Sequence, residues 1–108
     1  MQYQLAIIGG GPGGYTAALK AADNGLSVIL FEKNKIGGTC LNRGCIPTKS
    51  LLHSASQFSS LEKMAQSGIH AEMTYDYAEI LDHKTEIVTT LREGVEKALR
   101  SEEHTSEL

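Results

Sequence analysis

The segment "LAIIGGGPGGYTAA", which begins at Leu5, constrains the fold most, because an apolar run ends there in glycines and small, helix-favouring residues follow. Residues 3–8 predict a short buried strand, and residues 15–22 predict a helix that stops at Asn24. Residues 26–31 predict a second apolar strand. A strand, a helix and a strand within about 30 residues predict a right-handed βαβ unit with parallel strands. The chain is therefore assigned to the α/β class.

The glycines of this segment match a dinucleotide-binding pattern. Gly9, Gly11 and Gly14 have the spacing G-x-G-x-x-G, which gives a tight turn, close approach of a pyrophosphate and close packing of helix on strand. Glu32 follows about 20 residues later, where a carboxylate accepts both ribose hydroxyls. We predict an adenine dinucleotide site. The glycine turn alone does not distinguish FAD from NAD, and a purely structural turn with a solvated Glu32 is the alternative.

The size and charge of the chain limit its partners. The 108 residues, 41% of them hydrophobic, allow one domain. A net charge of −3 argues against nucleic acid or an anionic membrane surface, since both select clustered lysine and arginine. No apolar run approaches the roughly 20 residues that span a bilayer. We expect a cytoplasmic protein whose partner is a small molecule or another protein.

Two further helices are predicted downstream. Residues 51–65 have a mixed apolar pattern that is compatible with a helix ending at Ser67. Asp76 precedes Glu79 by three residues, a spacing typical of a capping box, and apolar residues then recur at helical intervals as far as Leu99. Only two parallel strands are evident, whereas a doubly wound domain needs at least a third.

The last nine residues, "RSEEHTSEL", lack this apolar period. In frame they match the translation of a common sequencing-adapter string. We therefore divide the chain into residues 1–99, the N-terminal portion of a domain, and residues 100–108, a non-native tail from adapter read-through. A disordered acidic tail is the alternative.

The chain's two cysteines, Cys40 and Cys45, lie in "GGTCLNRGCIPTK". Two thiols cannot complete a four-ligand zinc site, so we predict no metal, and a structural disulfide is disfavoured in a reducing compartment. Redox chemistry is therefore the leading role, and two unrelated buried thiols are the alternative. Residues five apart are roughly 8 to 9 Å apart in a helix and about 16 Å apart in a strand, neither of which suits a disulfide. If the two bridge, Gly44 and Pro47 must distort the segment.

This cysteine segment after an N-terminal glycine turn closely resembles the pyridine nucleotide-disulfide oxidoreductases of the glutathione reductase type. "CLNRGCIPTKSLL" is most similar to the members that oxidise dihydrolipoamide. The resemblance implies a Rossmann-like FAD-binding domain, of which this chain is the N-terminal part: a βαβ unit, a redox-active cysteine helix and further amphipathic helices. NAD would bind a domain outside this chain.

The resemblance also assigns roles to residues. Cys40 would exchange with the substrate, Cys45 would lie against the flavin and form a charge-transfer complex with it, and Lys49 would lie beside the flavin. Glu32 would bind the adenosine ribose. The residues expected to contact FAD are Gly9, Gly11, Pro12, Gly13, Gly14, Glu32, Lys33, Gly38, Thr39, Cys40, Cys45 and Lys49.

The implied reaction converts dihydrolipoamide and NAD⁺ to lipoamide and NADH, in a homodimer that acts on the lipoyl domain of a 2-oxoacid dehydrogenase or glycine cleavage complex. A glutathione or mercuric reductase and a non-catalytic FAD-binding fragment are the alternatives. The family's catalytic base is a histidine near the C-terminus of the partner subunit, which this sequence does not contain. We expect the isolated chain to bind FAD weakly and to lack turnover. The histidines present are expected to be structural or solvated: His53, His70, His83 and His104.

Overall fold

The structure, a computed structural model, describes residues 2–101 and 105–107. Within these residues, three parallel strands in the order β1-β2-β3 form one sheet, and four helices accompany it. In chain order the elements are β1 (Leu5–Ile8), α1 (Pro12–Asp23), β2 (Val28–Phe31), α2 (Gly38–Arg43), α3 (Cys45–Gln66), α4 (Tyr77–Ser101) and β3 (Thr105–Glu107).

The predicted βαβ unit is confirmed. β1 and β2 pair in parallel, with Leu5 opposite Val28 and Ile8 opposite Phe31. The small residues Ala18 and Ala22 of α1 let the helix lie close to β2, and they are fully or almost fully buried. The hydrophobic core gathers α1, β2, the loop after β2 and the end of α4. Its buried members are Ala18, Ala22, Val28, Leu30, Ile36 and Leu99.

The third strand comes from the segment predicted to be a tail. β3 pairs in parallel with β2, and Val28 lies opposite Thr105. Helix α4 continues to Ser101 and so passes the boundary predicted after residue 99. Leu99, near the end of α4, is 1% exposed and packs in the core. The sheet therefore has the third parallel strand that a doubly wound domain needs, whereas the adapter origin of residues 100–108 stays a prediction.

Strand β1 is less buried than its apolar sequence predicts. Its residues alternate between half-buried and exposed, and Ile8 is 90% exposed. Among the described elements, β1 contacts only β2, beside it in the sheet, and α1, so no element covers the face that carries Ile8. The prediction of a fully buried strand is therefore wrong for one face, because apolar composition shows a tendency to be covered without showing what covers the strand.

Helices α3 and α4 pack against each other as a long antiparallel pair, and α3 begins at Cys45 of the cysteine segment. The predicted cap at Asp76 is confirmed, since its Oδ1 accepts from the N–H groups of Ala78 at 2.9 Å and Glu79 at 3.3 Å. Near the loop that joins the two helices, the rings of Phe58 and Tyr75 meet edge to face with centroids 5.4 Å apart. None of the described helices has the length and apolar character needed to cross a membrane.

Candidate active site

The glycine turn joins β1 to α1 and leaves the start of the helix open. Gly9 has φ of 101°, a left-handed torsion that glycine adopts without strain, and its N–H donates to the Phe31 carbonyl at 2.7 Å. A Cβ at Gly14 would clash with the carbonyl oxygen of Gly9. Gly11 is the N-cap of α1 and provides no side-chain cap, and Pro12 occupies the first turn. An anion can therefore approach the backbone N–H groups at this helix start.

Glu32 lies directly after β2, next to this turn. Its Oε1 accepts from the Gly10 N–H at 2.9 Å, and its Oε2 accepts from the Asn34 N–H at 2.8 Å. These two bonds, that of Gly10 first, hold the pKa of the Glu32 carboxyl below its ordinary value, and the charge of Lys33 acts in the same direction. An ionised carboxylate has about four acceptor positions, so about two remain for a pair of ribose hydroxyls.

The cysteine segment consists of two helices rather than one bent helix. Cys40 lies in α2 and Cys45 begins α3, with Gly44 between them at φ −125° and ψ −98°. The two cysteines form a disulfide, and their Cα atoms are 4.7 Å apart. A Cβ at Gly44 would lie 3.2 Å from the Thr39 carbonyl oxygen and 3.5 Å from Cys40 Cα. The predicted distortion is confirmed, because only an interrupted helix brings residues at this separation so close.

Backbone contacts hold this segment against the glycine turn. The Gly37 N–H donates to the Gly10 carbonyl at 2.7 Å. Gly38 has φ of 67°, and a Cβ there would lie 2.7 Å from Gly11 Cα. Since Gly10 also donates to Glu32, three predicted parts of the site are joined in one network: the carboxylate, the turn and the start of the cysteine helix.

Asn42 is a residue of this region that the sequence reasoning missed. Its Nδ2 donates to the carbonyls of Ile36 at 2.9 Å and Gly38 at 3.0 Å. Its Oδ1 accepts from Arg92 Nη1 at 3.0 Å, across 50 residues of sequence. Asparagine is disfavoured inside a helix unless its side chain finds local partners, so its position in the cysteine segment was an available signal. The sequence carries no comparable signal for Arg92.

The remaining predicted residues lie around this network. Lys33 and Thr39 are exposed on the loop after β2 and on α2, and Gly13 is exposed in the first turn of α1. Lys49 is exposed on α3, four residues after Cys45 and so on the same side of the helix. It lines a cavity of about 240 Å³ together with Ser50 and His53.

The histidines that the structure describes do not form part of the network around the disulfide. His53, His70 and His83 are exposed, whereas His104 lies outside the described residues. Within residues 2–101 and 105–107, no group of three or more histidine, cysteine, aspartate or glutamate side chains could hold a metal ion.

Comparison with known proteins gives the family. The profile of the family described as pyridine nucleotide-disulphide oxidoreductase matches residues 3–106. The chain therefore belongs to this family, and its fold is the N-terminal, Rossmann-like FAD-binding part of the family's domain, as the sequence predicts.

Several curated relatives within this family are dihydrolipoyl dehydrogenases. Dihydrolipoyl dehydrogenase of Acholeplasma laidlawii is 46% identical over 96 residues, which cover 87% of this chain and 29% of the relative. Dihydrolipoyl dehydrogenase of Bacillus subtilis strain 168 is 44% identical over 99 residues, or 89% of this chain and 22% of the relative. The chain thus spans less than a third of these curated relatives.

Solved structures agree with this fold. The HOCl-induced flavoprotein disulfide reductase RclA from Escherichia coli is 33% identical, with a TM-score of 0.78 over 98% of this chain and 21% of its own. Its Cu(II) complex gives the same identity and TM-score over 97% of this chain.

Proposed function

We propose that the chain is the N-terminal portion of a flavoprotein disulfide oxidoreductase whose full-length form converts dihydrolipoamide and NAD⁺ to lipoamide and NADH. One observation carries this proposal: the Cys40–Cys45 disulfide spans a helix break in a segment whose start, at Gly37 and Gly38, lies against a dinucleotide-type glycine turn. This arrangement puts a two-electron redox pair next to a cofactor site within one small segment.

FAD fits the residues of this site. The N–H groups at the start of α1 would bind the pyrophosphate, and the close approach of Gly38 to Gly11 leaves no side chain in the way. The Glu32 carboxylate would accept the ribose hydroxyls with its remaining lone pairs. Lys49 would lie beside the flavin. When bound, FAD would supply two-electron redox chemistry between the Cys40–Cys45 dithiol and NAD, which would bind a domain outside this chain.

The cysteines carry out the exchange with the substrate. A substrate thiolate attacks Cys40 Sγ, which breaks the Cys40–Cys45 bond and leaves Cys45 as the thiolate. The second thiolate of the substrate then attacks the substrate sulfur that is bonded to Cys40. This step breaks the mixed disulfide and releases Cys40 as a thiolate. The substrate leaves as a cyclic disulfide, and the two cysteines hold its electron pair. The base that deprotonates the substrate thiols is a histidine of the partner subunit in a homodimer, beyond this chain.

The relatives favour dihydrolipoamide over other substrates. Matches named dihydrolipoyl dehydrogenase reach 46% identity, against 33% for the disulfide reductase RclA. The latter supports a second candidate, another disulfide reductase of the same family, because RclA is itself a flavoprotein disulfide reductase, and its Cu(II) complex adds Cu(II) to the acceptors worth testing. For the first candidate, the natural substrate is a lipoyl domain of a 2-oxoacid dehydrogenase or glycine cleavage complex. A cytoplasmic location also stays a prediction.

The test compares the 108-residue chain with the gene extended beyond the Leu99 codon. The extended, FAD-loaded enzyme should reduce NAD⁺ with dihydrolipoamide at least tenfold faster than it turns over glutathione disulfide, Hg(II) or Cu(II), and the 108-residue chain should show no turnover. Cys40→Ser in the extended enzyme should abolish dihydrolipoamide oxidation. Preference for one of the other acceptors would favour the second candidate. NAD-dependent turnover by the 108-residue chain would contradict the proposal that it is only the N-terminal portion of the enzyme.

A further inference from the structure

A second polar site lies between α2 and α4. Two adjoining cavities of about 220 Å³ each share Lys35, Asn42 and Arg43 in their walls. One of them extends along α4 past Lys84 and Arg92. We call the space bounded by the four cations Lys35, Arg43, Lys84 and Arg92 the cationic cleft. The cavity beside α2 includes three of the residues expected to contact FAD, whereas the cavity that extends along α4 includes none of them.

The charge of the cationic cleft is unusual for this chain. The protein has 13 acidic against 10 basic side chains, yet four of the basic ones line this one space. Lys84 and Arg92 are eight residues apart, which places them on one side of α4 about 12 Å apart along its axis. Both are half-buried, where charges are screened less than on an open surface. Within the described part of the chain, none of the four cations has an acidic partner in an ion pair.

One of these cations is already oriented. Arg92 Nη1 donates to Asn42 Oδ1 at 3.0 Å, and two backbone carbonyls hold the Asn42 amide in turn. A guanidinium has five N–H donors, so four remain for a ligand. The planar fork of arginine suits the bidentate geometry of phosphate. Thr89 lies in the same wall, and its hydroxyl is a neutral donor available to a ligand there.

The other end of the cleft carries a negative charge. Glu32 lines the cavity that adjoins α2, and its carboxylate already accepts two backbone N–H groups. It would repel an anion from that end. The most favourable position for an anion is therefore the α4 end, between Arg43, Lys84 and Arg92.

We propose that the α4 end of the cationic cleft binds a phosphate-type oxyanion, separately from the pyrophosphate of the dinucleotide site. A cavity of about 220 Å³ accommodates a diphosphate or the phosphate of a small metabolite, with room for bridging water at about 30 Å³ per molecule. Val88 is the one hydrophobic residue among the eight that line it, which favours a small charged ligand over an apolar one. The proposal does not depend on the identity of the redox substrate.

Calorimetry with inorganic pyrophosphate tests this on the 108-residue chain. The chain should bind it with a Kd at or below about 1 mM. The double variant Lys84→Gln, Arg92→Gln should weaken binding at least tenfold. The matched control Lys63→Gln, Lys97→Gln removes the same charge from exposed positions outside the cleft, and it should change the Kd less than twofold. Equal weakening in both double variants, or no saturable binding, would overturn the proposal.

Three further measurements keep the result interpretable. Arg43→Gln changes only an exposed side chain, so it tests the same cleft if the double variant does not fold, and it should weaken binding severalfold. Amide chemical shifts on titration should move at Asn42, Arg43 and Thr89. Shifts confined to residues 11–14 would place the anion at the dinucleotide site and overturn the proposal. Adenosine 5′-monophosphate is titrated in parallel, and the probe that shifts the amides of Asn42, Arg43 and Thr89 at the lower concentration identifies an inorganic or an organic phosphate as the ligand of the cleft.

Discussion

Replacing Asn42 by alanine should destabilise the protein well beyond the usual effect of a polar surface substitution. The change removes three hydrogen bonds, two to backbone carbonyls and one from the Arg92 guanidinium. Neutral bonds contribute about 0.5 to 1.5 kcal/mol each and a bond to a charged group about 1.5 to 3 kcal/mol. Because all three are part-buried and water can replace some of them, we expect a loss of about 2 to 4 kcal/mol.

Urea denaturation of the oxidised chain, followed by circular dichroism, measures this loss. With a slope of about 2 kcal/mol per molar urea, the midpoint should fall by about 1 to 2 M. Asn34→Ala is the matched control, since Asn34 uses only its backbone N–H, toward Glu32, and should change stability by less than about 0.5 kcal/mol.

A double-mutant cycle then isolates the long-range contact. Asn42→Ala and Arg92→Ala share one hydrogen bond, so their effects should be less than additive by about 1 kcal/mol or more. An Asn42→Ala variant as stable as the Asn34→Ala control would refute the idea that Asn42 ties the cysteine helix to α4. Strict additivity would refute the Arg92 contact alone.

Three other predictions concern the site. In the full-length enzyme after reduction, Cys45→Ser should abolish the long-wavelength flavin absorbance and Cys40→Ser should keep or strengthen it; the reverse would exchange the two roles. The lowered pKa of Glu32 means that its contribution to stability is fully present above the ordinary value of 4.5 and is lost as the pH falls through the lower folded value, so acid titrations of Glu32→Gln should lack this step. Gly14→Ala should destabilise the chain by more than about 2 kcal/mol because its Cβ meets the Gly9 carbonyl, whereas Gly13→Ala, with no atom within 4 Å, should stabilise the helix by about 0.5 to 1 kcal/mol; equal urea midpoints would contradict this.

The order of residue types along short stretches of the sequence predicted those parts of the site that are formed by residues close together in the chain. The strand before Gly9, the helix after it and the acid at position 32 each follow from short-range rules, and the structure joins them through Gly10. The distortion between the cysteines also followed, since ideal helix and strand spacings both exclude a disulfide. The separate helix α2 did not, because a six-residue helix shows no apolar period.

The remaining features depend on contacts that sequence spacing does not encode. The bond from Arg92 to Asn42 joins residues 50 apart, and although an asparagine within a helix signals local side-chain bonds, nothing in the sequence indicates Arg92 as its partner. Ile8 is exposed because none of the described elements covers that side of β1, although its composition is that of a core residue. Pairing of residues 105–107 with β2 likewise depends on where α4 ends, and not on their own polar composition.

The break at Gly44 also determines what happens to the sulfurs once they are reduced. Gly44 joins the two helix ends directly and its backbone lies close to the Thr39 carbonyl and Cys40 Cα, so the short connection itself limits how far the two cysteines separate when the 4.7 Å pair is reduced. The thiols consequently face each other at a high effective molarity, and reoxidation is an intramolecular step that needs little rearrangement of the chain. A pair built in this way can cycle repeatedly between dithiol and disulfide while the surrounding fold stays in place.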